Sequence, residues 1–231
     1  MRENDLLEIR DLELFRTMSE GNFAELMNAA FLQTFPPQTQ LIAEGDLADF
    51  LFVLVEGRVE LFGSTAGRET TMAIIKPFGT FILAAVLKDA VHLMSARTTE
   101  KSRVLMVPGG NIRDVLVKDN NFARAIILEL SGCYRAVVRD HKNLKLRSSV
   151  ERLANCIIQL HKTQGETGSL VLRYDKKTLA SLLNMTPENL SRAFNTLRPY
   201  GVQVDNNLIT LTDLTGLETL AKPNRLIDEK C

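Results

Sequence analysis

KKTLASLLNMTPENLSRAFN, residues 176–195, is the stretch on which the reading of this chain turns. Leu179, Leu183, Met185, Leu190 and Ala193 are spaced to bury one stripe on each of two short helices and to fix the angle at which they cross. Ala180 falls where two such helices pack closest and only a small side chain fits. Asn184, four residues on, falls at the tight turn, where a positive φ is usually met by Gly but tolerated by Asn. Asp175 is placed to cap the first helix and Thr186 the second. Pro187 sits in the first turn of that second helix with Glu188, where the helix dipole favours a negative charge. The pattern is that of a helix-turn-helix.

The second helix of such a motif lies in the major groove of DNA with its N-terminal residues at base edges. Its outward positions here are Pro187, Glu188, Asn189, Ser191, Arg192 and Asn195. Glu188 can accept from cytosine N4, Arg192 can donate twice to guanine O6 and N7, and Ser191 suits either kind of edge. With the cap Thr186 they form the expected DNA-reading set. Lys176, Lys177 and Arg198 are candidate phosphate contacts, which set register without reading sequence; solvated surface cations are the alternative. An acid and a base four residues apart also read as a plain surface pair. Downstream, VQVDNNLITL (202–211) reads as two short strands around Asp205-Asn206-Asn207, the hairpin of a winged helix; upstream, LVLRY (170–174) is strand-like. Residues 141–212 carry ten Lys/Arg against five Asp/Glu, and the rest of the chain carries 18 against 23. A neutral protein thus holds a basic segment on an acidic body, as a DNA-contacting module attached to something else would.

The rest of the 231 residues divides by period. Residues 5–33 read as short helices, with Leu6, Ile9, Leu12, Leu14 and Phe15, then Phe23, Leu26, Met27 and Ala30 near helical spacing. From Phe35 short apolar runs follow at 40–43, 50–55, 58–62, 70–75 and 103–107, parted by Gly- and Pro-marked turns, which suggests an antiparallel sandwich or barrel. Helical periodicity returns over about 111–146. There Ile127, Leu130, Tyr134, Val137, His141 and Leu144 step three and four residues in turn, a heptad seam suited to a second copy of the chain; a helix packed within its own monomer is the alternative. Ser148 or Ser149 then caps a new helix. The expected domains are 1–110, a sensor with N-terminal helices; 111–147, a dimerisation helix and hinge; and 148–231, the winged helix-turn-helix.

Composition narrows the function classes. Hydrophobic residues make up 45% and charged residues 24%, values of an ordinary globular chain. No apolar run approaches the ~20 residues of a membrane-spanning helix. MRENDLLEIRDLELFR lacks the apolar stretch of a signal peptide, so a cytoplasmic protein without a membrane partner is expected. Cys133, Cys156 and Cys231 are widely spaced with no CxxC, so neither a disulfide framework nor a metal site is readable. Ser–His–Asp, zinc-spacing and P-loop patterns are missing, and the three histidines are scattered; an enzyme is not expected.

The layout resembles the CRP/FNR family of bacterial transcription regulators over nearly the whole chain. The likeness is carried by LIAEGDLADFLFVLVEGRVELF (41–62), GRETTMAIIKPFGTF (67–81) and TPENLSRAFNTLRPYGV (186–202). It implies an α+β fold: an N-terminal cyclic-nucleotide-binding-type β-roll (a jelly roll), a long dimerisation helix and a C-terminal winged helix-turn-helix. The spacing Glu188, Ser191, Arg192 resembles the FNR-type branch, which implies TTGAT-like half-sites in an inverted repeat. AAVLKDAVHLMSARTTEKSR (84–103) is similar to a subgroup of ferrous-iron-transport activators. There are departures. The family's cyclic-nucleotide site places a Glu for the ribose and an Arg for the phosphate within the stretch equivalent to 81–96. Here Ile82 to Leu87 are apolar, Leu93-Met94 stands about where the Arg should be, and Arg97 comes too late. Burying a cyclic phosphate without a cation is costly, so cAMP and cGMP are not the expected effectors. An iron–sulfur cluster of the FNR kind is excluded, because no cysteine precedes Cys133. What remains is an apolar effector pocket lined by Leu83, Val86, Leu87, Met94, Leu130 and Tyr134, with haem on His92 or His141 as one occupant and a pocket filled by its own side chains as the alternative. Cys133 is either a redox switch or a small hydrophobe.

The expectation is a homodimeric, sequence-specific DNA-binding regulator that also meets RNA polymerase, its signal received in the β-roll. The alternative is an effector-sensing protein whose helix-turn-helix is only a packing element.

Overall fold

The computed structural model describes residues 1–165 and 167–228; Cys231 lies outside them. The chain divides into two compact units, Met1–Cys133 and the part from Tyr134 onward.

The first unit opens with α1 (Glu3–Arg10) and α2 (Glu20–Ala29). Its strands are β1 (Phe31–Phe35), β2 (Gln40–Ile42), β3 (Phe50–Glu56), β4 (Val59–Thr65), β5 (Arg68–Ile75) and β6 (Thr80–Phe81), then, after the short α3 (Leu83–Lys88), β7 (Ser95–Thr98) and β8 (Ser102–Pro108). They form two antiparallel four-stranded sheets in the orders β1-β8-β3-β6 and β2-β7-β4-β5. FLFVLV is apolar throughout because β3 is covered on both faces. Phe52 and Leu54 pack with Val59, Leu61, Phe81 and Ala96 from both sheets, while Leu51, Val53 and Val55 pack with Leu26, Ile112 and Phe122 of the helices and with Phe15 between α1 and α2. The turn into β4 uses Gly57 at φ +91°, where a Cβ would collide with Lys101 and Ser102.

Three segments differ from their sequence reading. Residues 31–35 extend into β1, paired with β8 in the register Phe31↔Met106, instead of continuing the N-terminal helices. β7 was hidden by its polar residues; Arg97 stands opposite Glu60 on β4 and bonds its carboxylate at 2.8 Å. The helical stretch 111–146 is two helices, α4 (Gly109–Lys118) and α5 (Asn120–Leu146), parted at the extended Asp119 (φ −121°, ψ 101°). The Asp119 carboxylate accepts the Asn121 and Phe122 N–H groups at 3.0 Å, which starts α5, and the Ser19 N–H and Asn22 amide at 2.9 Å, which ties α2 to it.

The second unit begins with α6 (Ser149–Thr163), capped by Ser148 and Glu151, each of which bonds the other's backbone N–H. β9 (Ser169–Val171), α7 (Lys176–Leu182), α8 (Pro187–Leu197), a 3₁₀ turn (Arg198–Tyr200), β10 (Val202–Asp205), β11 (Leu208–Leu211), α9 (Leu214–Ala221) and α10 (Arg225–Asp228) follow. The strands make one sheet, β10-β11-β9, with the hairpin turned through Asn206 at φ +53°. The core gathers Leu153, Ile157, Leu179, Leu190, Phe194 and Ile209, among others. Arg147 and Asp228 close the unit with a buried two-pronged bridge of 2.6 and 2.7 Å.

Candidate nucleic-acid interface

The motif forms as its residues dictate. Asp175 accepts the Thr178 N–H at 2.6 Å and starts α7, and Ala180 is buried against the crossing helix. Asn184 takes φ +51° at the turn, and the Met185 N–H returns to the Ala180 carbonyl at 3.0 Å. Thr186 then accepts the Asn189 N–H at 3.2 Å, with Pro187 first in α8.

Leu190, Ala193, Phe194 and Leu197 bury one side of α8, which leaves Glu188, Asn189, Ser191, Arg192 and Asn195 exposed together on the other. Thr186, Pro187, Lys176, Lys177 and Arg198 are exposed as well. Ser191 donates to the Pro187 carbonyl at 3.1 Å, so its hydroxyl keeps accepting capacity. The Glu188 carboxylate is held below the usual range by its own backbone N–H, by the Thr186 hydroxyl and by the charge of Arg192. No ion pair joins Glu188 to Arg192, or engages Lys176, Lys177 or Arg198, among the described residues. The surface thus presents an acceptor and several unpaired donors, as a base-reading helix flanked by phosphate contacts requires.

One residue that serves this surface escaped the sequence reading. Arg152 of α6 is buried, yet makes no ion pair among the described residues: it donates to the carbonyls of Leu183 (2.9 Å), Asn184 (3.2 Å) and Arg147 (2.8 Å), two of them in the turn of the motif. Burial lowers its pKa. The signal was there: a charge embedded in RLANCII, on a helix otherwise set to be buried.

The expected seam on α5 is displayed in the single chain. Ile127, Tyr134 and Val137 are 62%, 72% and 65% exposed, and His141 and Leu144 are exposed; Leu130 is half-buried against the core of the first unit. The six expected pocket residues are dispersed. Leu83 and Val86 are buried in that core, with Leu87 and Leu130 packed against it, whereas Met94 joins the layer between the sheets and Tyr134 is exposed. His92 is buried, His141 exposed, and His161 buried with its Nε2 accepting the Gly168 N–H at 3.4 Å. Partial burial and the Glu129 charge push the Cys133 thiol up, away from the reactive thiolate. Among the described residues no group of three His, Cys, Asp or Glu side chains is set to hold a metal ion, and no helix is long and apolar enough to cross a membrane.

Comparison with known proteins agrees with this geometry. Residues 32–119 match the cyclic nucleotide-binding domain and residues 151–220 the Crp-like helix-turn-helix domain. A domain of the first type joined to a Crp-like helix-turn-helix is the make-up of a transcription regulator, not of an enzyme. A stretch of 120 residues, 52% of this chain, is 22% identical to the potassium channel KAT3 of Arabidopsis thaliana, of which the match spans only 18%. The chain is also 21% identical over 216 residues to the CRP-like cAMP-activated global transcriptional regulator of Mycobacterium tuberculosis, covering 90% of this chain and 96% of that one. The fold is that of a solved Eubacterium rectale protein described as a CRP/FNR-family regulator, with a TM-score of 0.72, 16% identity, and 91% and 98% of the two chains covered. The protein is a regulator of the CRP/FNR type.

Proposed function

We propose that the protein is a homodimer that reads an inverted repeat of TTGAT-like half-sites, with residues 1–110 as sensor, 111–147 as dimerisation helix and hinge, and 148–231 as DNA-reading module. The observation that carries this reading is the face of α8 on which Glu188, Asn189, Ser191, Arg192 and Asn195 stand exposed, opposite a fully buried stripe. A helix-turn-helix kept only for packing has no need of such a face. Thr186 and Pro187 place the helix start at the groove, and Lys176, Lys177 and Arg198 meet phosphates. The exposed seam Ile127, Tyr134, Val137, His141 and Leu144, with Leu130 at its edge, supports a second copy along α5.

The signal received by the β-roll is not a cyclic nucleotide in this reading. Arg97, the nearest arginine beyond the apolar stretch, is taken up by Glu60 and Glu69, each at 2.8 Å, and lies over the Phe62 ring. A signal at the sensor shifts a two-state dimer and so sets the separation of the two recognition helices. RNA polymerase is the further partner, the cytoplasm the place, and 84–103 puts the protein with the ferrous-iron-transport activators.

Fluorescence anisotropy with a TTGAT-N4-ATCAA duplex and a scrambled duplex at one salt concentration tests the reading. Selective binding is expected. Equal binding to both, with the visible spectrum free of a bound chromophore, overturns the half-site.

A further inference from the structure

The β2–β3 loop and the loop that leads into β7 are zipped together through their backbones. The Gly45 N–H donates to the His92 carbonyl and the His92 N–H to the Asp46 carbonyl, both at 2.8 Å, and the Ala48 N–H reaches the Ala90 carbonyl at 3.1 Å. This pairing turns the imidazole of His92 inward, where only 5% of the residue is exposed. It lines a cavity of about 410 Å³ whose apolar wall includes Ile42, Phe50 and Phe52. Asp46 and Asp49 line the same cavity and are exposed.

Three groups on the residues that line this cavity lack partners among the described residues. The buried Nδ1 of His92 has no hydrogen bond. The Asp46 and Asp49 carboxylates make no ion pair among the described residues, and their charges act on His92. Burial holds the imidazole pKa below its ordinary value despite both carboxylates, so the ring is neutral at pH 7. With its proton on Nε2 the neutral ring accepts at Nδ1, the two carboxylates accept as well, and no Lys or Arg lines the cavity.

We propose that the cavity binds a small organic cation, a primary amine carried on an apolar or aromatic body. The ammonium group donates to His92 Nδ1 and is balanced by Asp46 and Asp49, while the body lies against Phe50 and Phe52, whose faces favour a cation. An anion meets two negative charges and no cation. A bare metal ion lacks ligands, because the three groups do not form a metal-holding cluster. The volume lies within the range of small-molecule sites. The inference rests on the reading of the β-roll as sensor only for the ligand's role as signal; occupancy stands by itself.

The test uses the full chain with ¹⁵N-labelled imidazoles. Its three histidines, His92, His141 and His161, give three separable rings. The probe is phenethylamine, with 2-phenylethanol as its neutral counterpart and 3-phenylpropionate as an anion of similar size. The His92 signal moves saturably with the amine while those of His141 and His161 hold, and the amine binds at least about tenfold tighter than the alcohol. The propionate leaves His92 unmoved. D46N/D49N, two exposed positions that leave the fold intact, abolishes the preference for the amine. No saturable shift, equal affinity for amine and alcohol, or an unchanged preference in D46N/D49N each overturns the proposal. The titration contains no DNA, so its failure leaves the reading of the helix-turn-helix in place, and failure of the anisotropy experiment leaves the cavity in place.

Discussion

Arg192 stands on the exposed face of α8, opposite the buried stripe, and makes no ion pair among the described residues, so its guanidinium is left free for a partner. Arg192→Ala should therefore cost roughly 1–3 kcal/mol in specific DNA binding and little in non-specific binding, with an unchanged melting temperature. Anisotropy on matched and scrambled duplexes separates the two, and equal losses on both count against base reading. Arg152 is the opposite case: its charge is spent inside the protein, on the carbonyls that shape the turn at Asn184. The exposure of Glu188, Asn189, Ser191, Arg192 and Asn195 was legible in the sequence because position within a helix-turn-helix dictates exposure. Arg152 was not, since a sequence does not say whether a buried cation will find carboxylates or carbonyls.

Elements whose apolar residues recur on one period were legible: β3, α6, α7, α8 and the β10–β11 hairpin all stand where the pattern put them. β7 and α3 were not, because a four-residue strand of Ser, Ala, Arg and Thr carries no apolar alternation and a six-residue helix offers too few turns for a period. The break at Asp119 escaped for a different reason, since the sequence on both sides of it is helical and the interruption shows only in the extended backbone and the side chain's bonds. Asp119 is bonded by four N–H donors, led in effect by the Asn22 amide, and its pKa lies well below the ordinary carboxylate value. A depressed folded-state pKa adds stability above the unfolded pKa of about 3.9 and loses it as pH falls toward the folded value. Asp119→Asn should thus cost about 1–3 kcal/mol at neutral pH, and the gap to the native protein should close as the pH drops below that range. Melting curves from neutral to acid pH check this; a gap independent of pH refutes it. On α5, Val137 is the position that probes pairing cleanly, because Leu130 also packs on the first unit's core. Val137→Glu should give monomers in light scattering and abolish binding to the inverted repeat, while a dimer that persists moves the seam elsewhere.

At the scale of the molecule, a chain of zero net charge concentrates a surplus of +5 in residues 141–212. Its affinity for DNA should accordingly fall steeply with salt, each phosphate contact adding about 0.9 to the slope of log K against log salt. Lys177→Ala should lower that slope by about 1 per protomer and weaken matched and scrambled duplexes alike. An unaltered slope removes Lys177 from the interface. The Arg147–Asp228 bridge carries a further consequence. It brings the residue that precedes α6 to the last described turn of the chain, so the segment between them leaves and returns at one spot. A segment closed in this way can be excised, grafted or circularly permuted with little loss of loop entropy.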